Sequence, residues 1–190
     1  MSDNLLHKNG TGISMQQFMD TMEKNKEAFE DWYSRFSFEN EKIQEELKSL
    51  AKEHQVRAFL LAAEWCGDVV RNVPVLFKVL EDTEIPTEVL VMEDHLETMD
   101  QYLTMGGRAI PVLIFTNPAG DVLGTWGPRP AHVQEIMIAF KQANPDREAA
   151  DYQDNIMVAR KEMVDRYGET IDYQHVIVRE LRDLLASFGK

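Results

Sequence analysis

The apolar positions of this 190-residue chain fall into two patterns: stripes spaced three and four apart, and short runs with hardly a polar break. The first pattern marks helices with one buried face, and the second marks strands buried on both faces. Ser14 and Gln17 form a capping-box pattern, with Ile13 and Phe18 placed as a hydrophobic staple. Phe18, Met22, Phe29 and Trp32 continue at roughly helical spacing, so a single first helix is predicted through them. Ile43, Leu47, Leu50 and Ala51 share one face of a second helix over 39–54. Val56 to Ala63 then reads as a buried strand. Val69, Val70, Val73, Leu76, Phe77 and Leu80 follow at helical spacing, interrupted by Pro74, which should kink that helix.

Pro86 to Met92 predicts a second strand and 95–104 a short helix. Ile110 to Phe115 predicts a third strand, after a Gly106-Gly107-Arg108 loop. The turn composition Asn117-Pro118-Ala119-Gly120 then folds Asp121–Trp126 back as a hairpin. Gly127-Pro128-Arg129-Pro130 breaks the chain before a helix near 131–143. The middle therefore reads β-α-β-α-β-β-α, an α/β fold with a mixed sheet covered by helices. Two amphipathic helices close the chain. Ile156, Met163 and Tyr167 line one, which Gly168 ends; Ile177, Leu181, Leu184, Leu185 and Phe188 line the other. The expected organisation is a helical extension over 1–55, a core over 56–145 and a second helical extension over 146–190. The apolar faces of the extensions are expected to dock on the core, with a partner-binding groove as the alternative.

Composition narrows the function classes. Hydrophobic residues make up 44% and charged residues 28%, ordinary for a globular chain and too apolar for a wholly disordered one. The net charge of −13 is spread over the beginning, middle and end of the chain. Such a field repels phosphate backbones, so no nucleic-acid partner is expected. No basic region with an apolar core of signal-peptide length opens the sequence, and no apolar stretch approaches the ~20 residues needed to span a bilayer. The expectation is a cytoplasmic protein without a membrane partner. His7, His54, His95, His132 and His175 are scattered, with no zinc-like spacing beside the one cysteine, and neither a metal nor another cofactor is expected. Glu93-Asp94-His95 reads as a solvated helix start. Gly106-Gly107 is not a phosphate loop, since the order of strand, glycines and helix is absent.

Cys66 is that one cysteine, so the chain cannot close an intramolecular disulfide, and any redox chemistry must borrow its second sulfur from another molecule. A lone thiol also fits a reducing compartment. The residues after Cys66 read as a helix start, where a thiol becomes acidic and reactive. The plainer reading is an inert buried cysteine.

The residues around it resemble a thioredoxin-like domain over roughly residues 56–143. Glu64-Trp65-Cys66-Gly67 is similar to the active-site motif of thioredoxins at a strand-to-helix junction. Pro74 matches the kink proline of the active-site helix, Arg108-Ala109-Ile110-Pro111 the loop that ends in the family's cis-proline, and Gly127 the glycine after the hairpin. The resemblance implies a thioredoxin-like fold, a central mixed four-stranded sheet flanked by helices, with extra N- and C-terminal helices. It also departs from the family. Val69 stands where the resolving thiol would be, Asp68 where a proline precedes it, and Leu60 where a buried aspartate assists proton transfer. The whole chain resembles a group of bacterial single-cysteine thioredoxin-like proteins carrying Trp-Cys-Gly-Asp.

From this resemblance Cys66 is the expected catalytic thiol, with Trp65, Gly67, Asp68 and Val69 as its neighbours. Helix-end N–H groups should favour the thiolate, while the Asp68 carboxylate should oppose it; Asp68 serves equally as a helix-terminus acid. Pro111, if cis, would present the Ile110 backbone to an extended substrate chain. Trp65 and Trp126 are candidates for an apolar rim, and Arg108 and Arg129 for attracting an anionic thiol or lowering the thiol pKa. Three readings follow. Cys66 exchanges with a protein or low-molecular-weight thiol or disulfide; the frame only binds a protein; or Cys66 is a redox sensor capped or oxidised in place. A Cys–His hydrolase pair using His95 or His132 is a fourth arrangement the sequence permits.

Overall fold

A computed structural model describes residues 3–189. Four strands, β1 (Arg57–Ala62), β2 (Thr87–Val91), β3 (Val112–Thr116) and β4 (Val122–Trp126), form one sheet in the order β2-β1-β3-β4. β1 and β2 are parallel, while β1–β3 and β3–β4 are antiparallel. A parallel neighbour needs a crossover, and helix α4 (Gly67–Asp82) supplies it between β1 and β2. The central strand β1 reads almost wholly apolar because it is covered on both faces. Leu60 pairs with Val89 on one side and Leu113 on the other, with no exposed surface.

Helices α1 (Met15–Thr21), α2 (Lys26–Arg35) and α3 (Glu41–His54) precede the sheet. The Ser14–Gln17 capping box forms, each side chain holding the other's backbone N–H. The single first helix read from Phe18 to Trp32 does not. The chain breaks at residues 22–25, where Asn25 takes a left-handed φ of 60°. The Glu64 carboxylate accepts the N–H groups of Glu23 and Lys24 at 2.6 and 2.9 Å, and Asn25 donates to the Glu64 carbonyl at 2.9 Å. Backbone groups that a continuous helix would have satisfied internally are thus held by the loop before Cys66. The apolar spacing survives the break, since Phe18, Phe29 and Phe77 pack tilted or edge-on with centroids 5.8–6.2 Å apart and join α1, α2 and α4.

The helix expected over 95–104 shrinks to α5 (Leu96–Met99), preceded by a 3-10 turn over Met92–Asp94. Glu93 and Asp94 of that turn are exposed, as a solvated helix start requires, but His95 is buried, with its Nδ1 3.2 Å from the Lys8 amine. After β4 come α6 (Ala131–Ala143), α7 (Tyr152–Tyr167) and α8 (Asp172–Ala186). α7 packs on α6; α8 packs on α3, α4 and β4. Buried residues from Leu5 to Leu185 belong to one hydrophobic cluster, so helices at both ends of the chain complete the core around the sheet. Among the described residues, no helix is long and apolar enough to cross a membrane.

Candidate functional site

β1 ends at Ala62, and Cys66 is the N-cap of α4, with extended backbone (φ −84°, ψ 124°). Its half-buried thiol donates to the Ile110 carbonyl at 3.5 Å. The Ile110–Pro111 peptide that follows is cis, as is Gly127–Pro128. Gly127 fixes the approach of the two loops. At φ +124° a Cβ there would lie 2.2 Å from the Pro111 carbonyl oxygen, closer than any side chain could sit. The thiol opens into a cleft of about 760 Å³ between the N-terminus of α4, the 108–110 loop and α7.

Asp68, in the first turn of α4, is tied down twice. Its carboxylate meets the Arg129 guanidinium at 2.7 Å, with side chains 17% and 11% exposed, and accepts the Tyr167 hydroxyl at 2.9 Å. Asn72, fully buried one turn further along α4, donates to the Tyr167 oxygen at 2.8 Å and to the Pro128 carbonyl at 3.0 Å. Arg129 also donates to Gln134 at 2.9 Å. This network links α4, the 127–130 loop and α7 beside the sulfur.

Burial is the main influence on the Cys66 thiol and pushes its pKa up. The N–H groups of Val69 and Asp68 and the Arg129 guanidinium favour the thiolate, while the Asp68 carboxylate opposes it, and the net direction is upward. Helix-end stabilisation is present, as the sequence leads one to expect, but desolvation outweighs it. Tyr167 is pushed well above its ordinary value, first by burial and then by Asp68, so its hydroxyl remains a donor.

The residues singled out in the sequence separate into two groups. Trp65 is 50% exposed on the cleft wall, its indole N–H donating to Glu93 at 2.5 Å, and Gly67 is exposed beside it. Ile110 lines the cleft, with Pro111 buried behind it. Arg108 lines the cleft too, gripped by Asp100 in a two-pronged pair at 2.6 and 2.9 Å. Val69 points into the core with no exposed surface. Trp126 is not part of a rim: it is buried, its N–H donates to Glu180 on α8 at 2.7 Å, and it is not among the cleft's lining residues. His95 and His132 are equally absent from the lining, which leaves Cys66 without a histidine base there.

Sequence reading missed Arg71, Asn72, Arg160 and the role of Tyr167. Arg71 lies against Trp32, Tyr167 and Tyr173, with its guanidinium carbon 4.3, 5.3 and 5.3 Å from their centroids, and donates to the Gly168 carbonyl at 2.7 Å. Arg160, Met163, Val164 and Tyr167 are spaced as one helix face and all line the cleft. That spacing was the available signal; the sequence reading singles out only Met163 and Tyr167 of it, with Ile156, as a face docking on the core or, alternatively, lining a partner-binding groove. Among the described residues, no group of three or more His, Cys, Asp or Glu side chains is placed to hold a metal ion.

The family model described as Thioredoxin matches residues 12–144, most of the chain. No curated protein matches. Two solved structures share the fold. One is PA1234, a protein of unknown function from Pseudomonas aeruginosa, with 16% identity, 92% of each chain covered and a TM-score of 0.58. The other is an HIV epitope-scaffold of the 4E10 type, with 14% identity, 97% of this chain and 98% of that one covered and a TM-score of 0.62. The coverage extends the likeness of fold to the helical flanks.

Proposed function

We propose that this chain, which belongs to the thioredoxin family, carries out monothiol thiol–disulfide exchange through Cys66. The observation that carries the reading is a half-buried sulfur at a helix N-cap, facing an open cleft and backed by the Ile110 carbonyl and Arg129. The Cys66 thiolate, its proton released to solvent, attacks one sulfur of a disulfide. A bond forms between Sγ and that sulfur, the original S–S bond breaks, and the leaving thiolate takes the electron pair. With Val69 sealed in the core, the second thiol comes from outside, from a small thiol or a partner's cysteine. A cysteine kept free for this cycle fits a reducing compartment such as the cytoplasm.

Intact-mass spectrometry of reduced protein mixed with a disulfide tests the reading. A single adduct per chain, absent in Cys66→Ser, is expected; an unmodified wild-type protein overturns it. A protein-binding role without chemistry is favoured by the burial of the thiol, which disfavours the thiolate that exchange needs. Under that reading partners are retained equally by a Cys66→Ala variant, whereas exchange requires the sulfur.

A further inference from the structure

The cleft at Cys66 has the opposite charge to the rest of the molecule. The chain carries 33 acidic against 20 basic residues. Among the described residues the cleft is lined by Arg71, Arg108, Arg129 and Arg160, with Asp68 as its one acid. Two of these arginines are neutralised, Arg129 by Asp68 and Arg108 by Asp100. The other two are not. Arg71 is held by aromatic rings and a backbone carbonyl, with a buried Nη1 that has no hydrogen-bond partner. Arg160 is exposed on α7 and has neither an ion pair nor a hydrogen bond among the described residues. Arg129 retains a buried Nε without a partner. Guanidinium groups are weakly hydrated, and their fork matches a carboxylate.

We infer that the Cys66 cleft selects low-molecular-weight disulfides whose arms carry carboxylates, held by Arg160 and Arg71 while Cys66 attacks the sulfur. The inference rests on the exchange reading and adds its substrate class. The volume of about 760 Å³ lies within the range of small-ligand pockets, which favours a small disulfide over a protein segment. The step is the one already balanced: the Sγ–S bond forms, the ligand's S–S bond breaks, and the carboxylate-bearing thiolate leaves with the electron pair. The net charge of −13 would by itself favour a cationic disulfide. At ~0.1 M salt the field of distant surface charges is largely screened beyond about 10 Å, so the arginines beside the ligand decide the order.

The test compares three disulfides on the intact protein: glutathione disulfide (anionic), 2-hydroxyethyl disulfide (neutral) and cystamine (cationic). Each rate of adduct formation is divided by that of the same disulfide with a free small-molecule thiol. The expected order is anionic, neutral, cationic. The anionic-to-neutral ratio should reach about five- to tenfold, since one exposed charge contact is worth roughly two- to fivefold. Arg160→Ala should lower that ratio about two- to fivefold and Arg160→Glu should lower it further; a ratio taken within one variant cancels any change in thiol reactivity. Calorimetry of S-methylglutathione with Cys66→Ser separates the two claims, because it reads carboxylate binding without chemistry. Binding there that weakens in the Cys66→Ser/Arg160→Glu double variant supports the cleft assignment even if exchange fails. A flat or cationic preference, a ratio unmoved by Arg160→Glu, adducts only with protein disulfides, or no S-methylglutathione binding overturns it.

Discussion

The pair formed by Asp68 and Arg129 makes opposite demands on stability and on the thiol, and substitutions can separate them. Arg129→Met removes the guanidinium but keeps an apolar stem, leaving Asp68 uncompensated with its side chain only 17% exposed. Breaking a fully buried pair from one side costs ~3–5 kcal/mol. Here Asp68 keeps the Tyr167 hydroxyl at 2.9 Å and some water, so about 2–3 kcal/mol is expected. Asp68→Asn keeps neutral hydrogen bonds and should cost about 1–2 kcal/mol. Neither loss unfolds a domain of ordinary stability, ~5–15 kcal/mol. Urea unfolding of both single variants and the double variant reads the coupling. Because the double variant removes both charges, it should be more stable than the sum of the singles by about 1–2 kcal/mol. On the thiol the two substitutions act in opposite directions. Arg129→Met removes a group that favours the thiolate and should slow alkylation by iodoacetamide at pH 7; Asp68→Asn removes the repulsion and should speed it. Additive stabilities, within about 0.5 kcal/mol, would refute a coupled pair. Rates that move together would refute the electrostatic account of Cys66.

Cys66 alkylation should keep rising with pH past the ordinary free-thiol range of about 8.5, because burial and Asp68 raise the thiol pKa. A midpoint below that range contradicts the burial argument. The same shift has a stability consequence with a definite sign. The folded state holds the Cys66 proton more tightly than the unfolded chain, so its contribution is present below the unfolded thiol pKa and is lost as pH rises through the folded one. Wild type should therefore lose more stability than Cys66→Ser across that alkaline window, read as urea midpoints; equal losses count against it. Gly127→Ala should lower stability by roughly 3–6 kcal/mol, combining a disfavoured φ of +124° with a Cβ driven to 2.2 Å from the Pro111 oxygen. An unchanged unfolding midpoint would show that the 111 and 127 loops do not meet this closely. Glu64→Ala should cost about 1 kcal/mol, because the exposed N–H groups of Glu23 and Lys24 can turn to water, and should raise hydrogen exchange at those amides. Unchanged exchange refutes the hold of the Glu64 carboxylate on those two N–H groups.

What the sequence disclosed depends on how far apart the interacting residues lie. The Ser14–Gln17 box, the strand runs and the Trp65-Cys66 junction are local, and each element forms within a few residues of its expected bounds. The break between α1 and α2 was hidden because the groups that hold it belong to Glu64, some 40 residues away. Trp126 was misplaced for a similar reason: its position after a hairpin says nothing of Glu180, 54 residues on, which takes its N–H and draws the ring inward. Tyr167 reaches Asp68 across 99 residues. A helix-period stripe shows that such a residue faces inward, but not that its hydroxyl meets a carboxylate beside a sulfur.

Under the proposed exchange, the missing second thiol and the raised thiol pKa act in the same direction on the fate of an adduct. In a mixed disulfide, the sulfur with the lower thiol pKa leaves more readily, and a thiol of higher pKa is the stronger nucleophile once ionised. Desolvation makes Cys66 the poorer leaving group of the pair. An incoming thiol therefore tends to expel the ligand's sulfur and replace one cap with another, rather than free the protein. Val69, fully buried where a resolving thiol would stand, offers no internal escape. Freeing Cys66 then depends on a thiol that attacks the ligand's own sulfur, so that the Cys66 thiolate leaves, within a cleft whose far wall is α7. Under the proposed exchange the C-terminal helices enter the chemistry: Tyr167 donates to Asp68 beside the sulfur, Arg160 would meet the ligand, and the width they leave would set how long the cap persists.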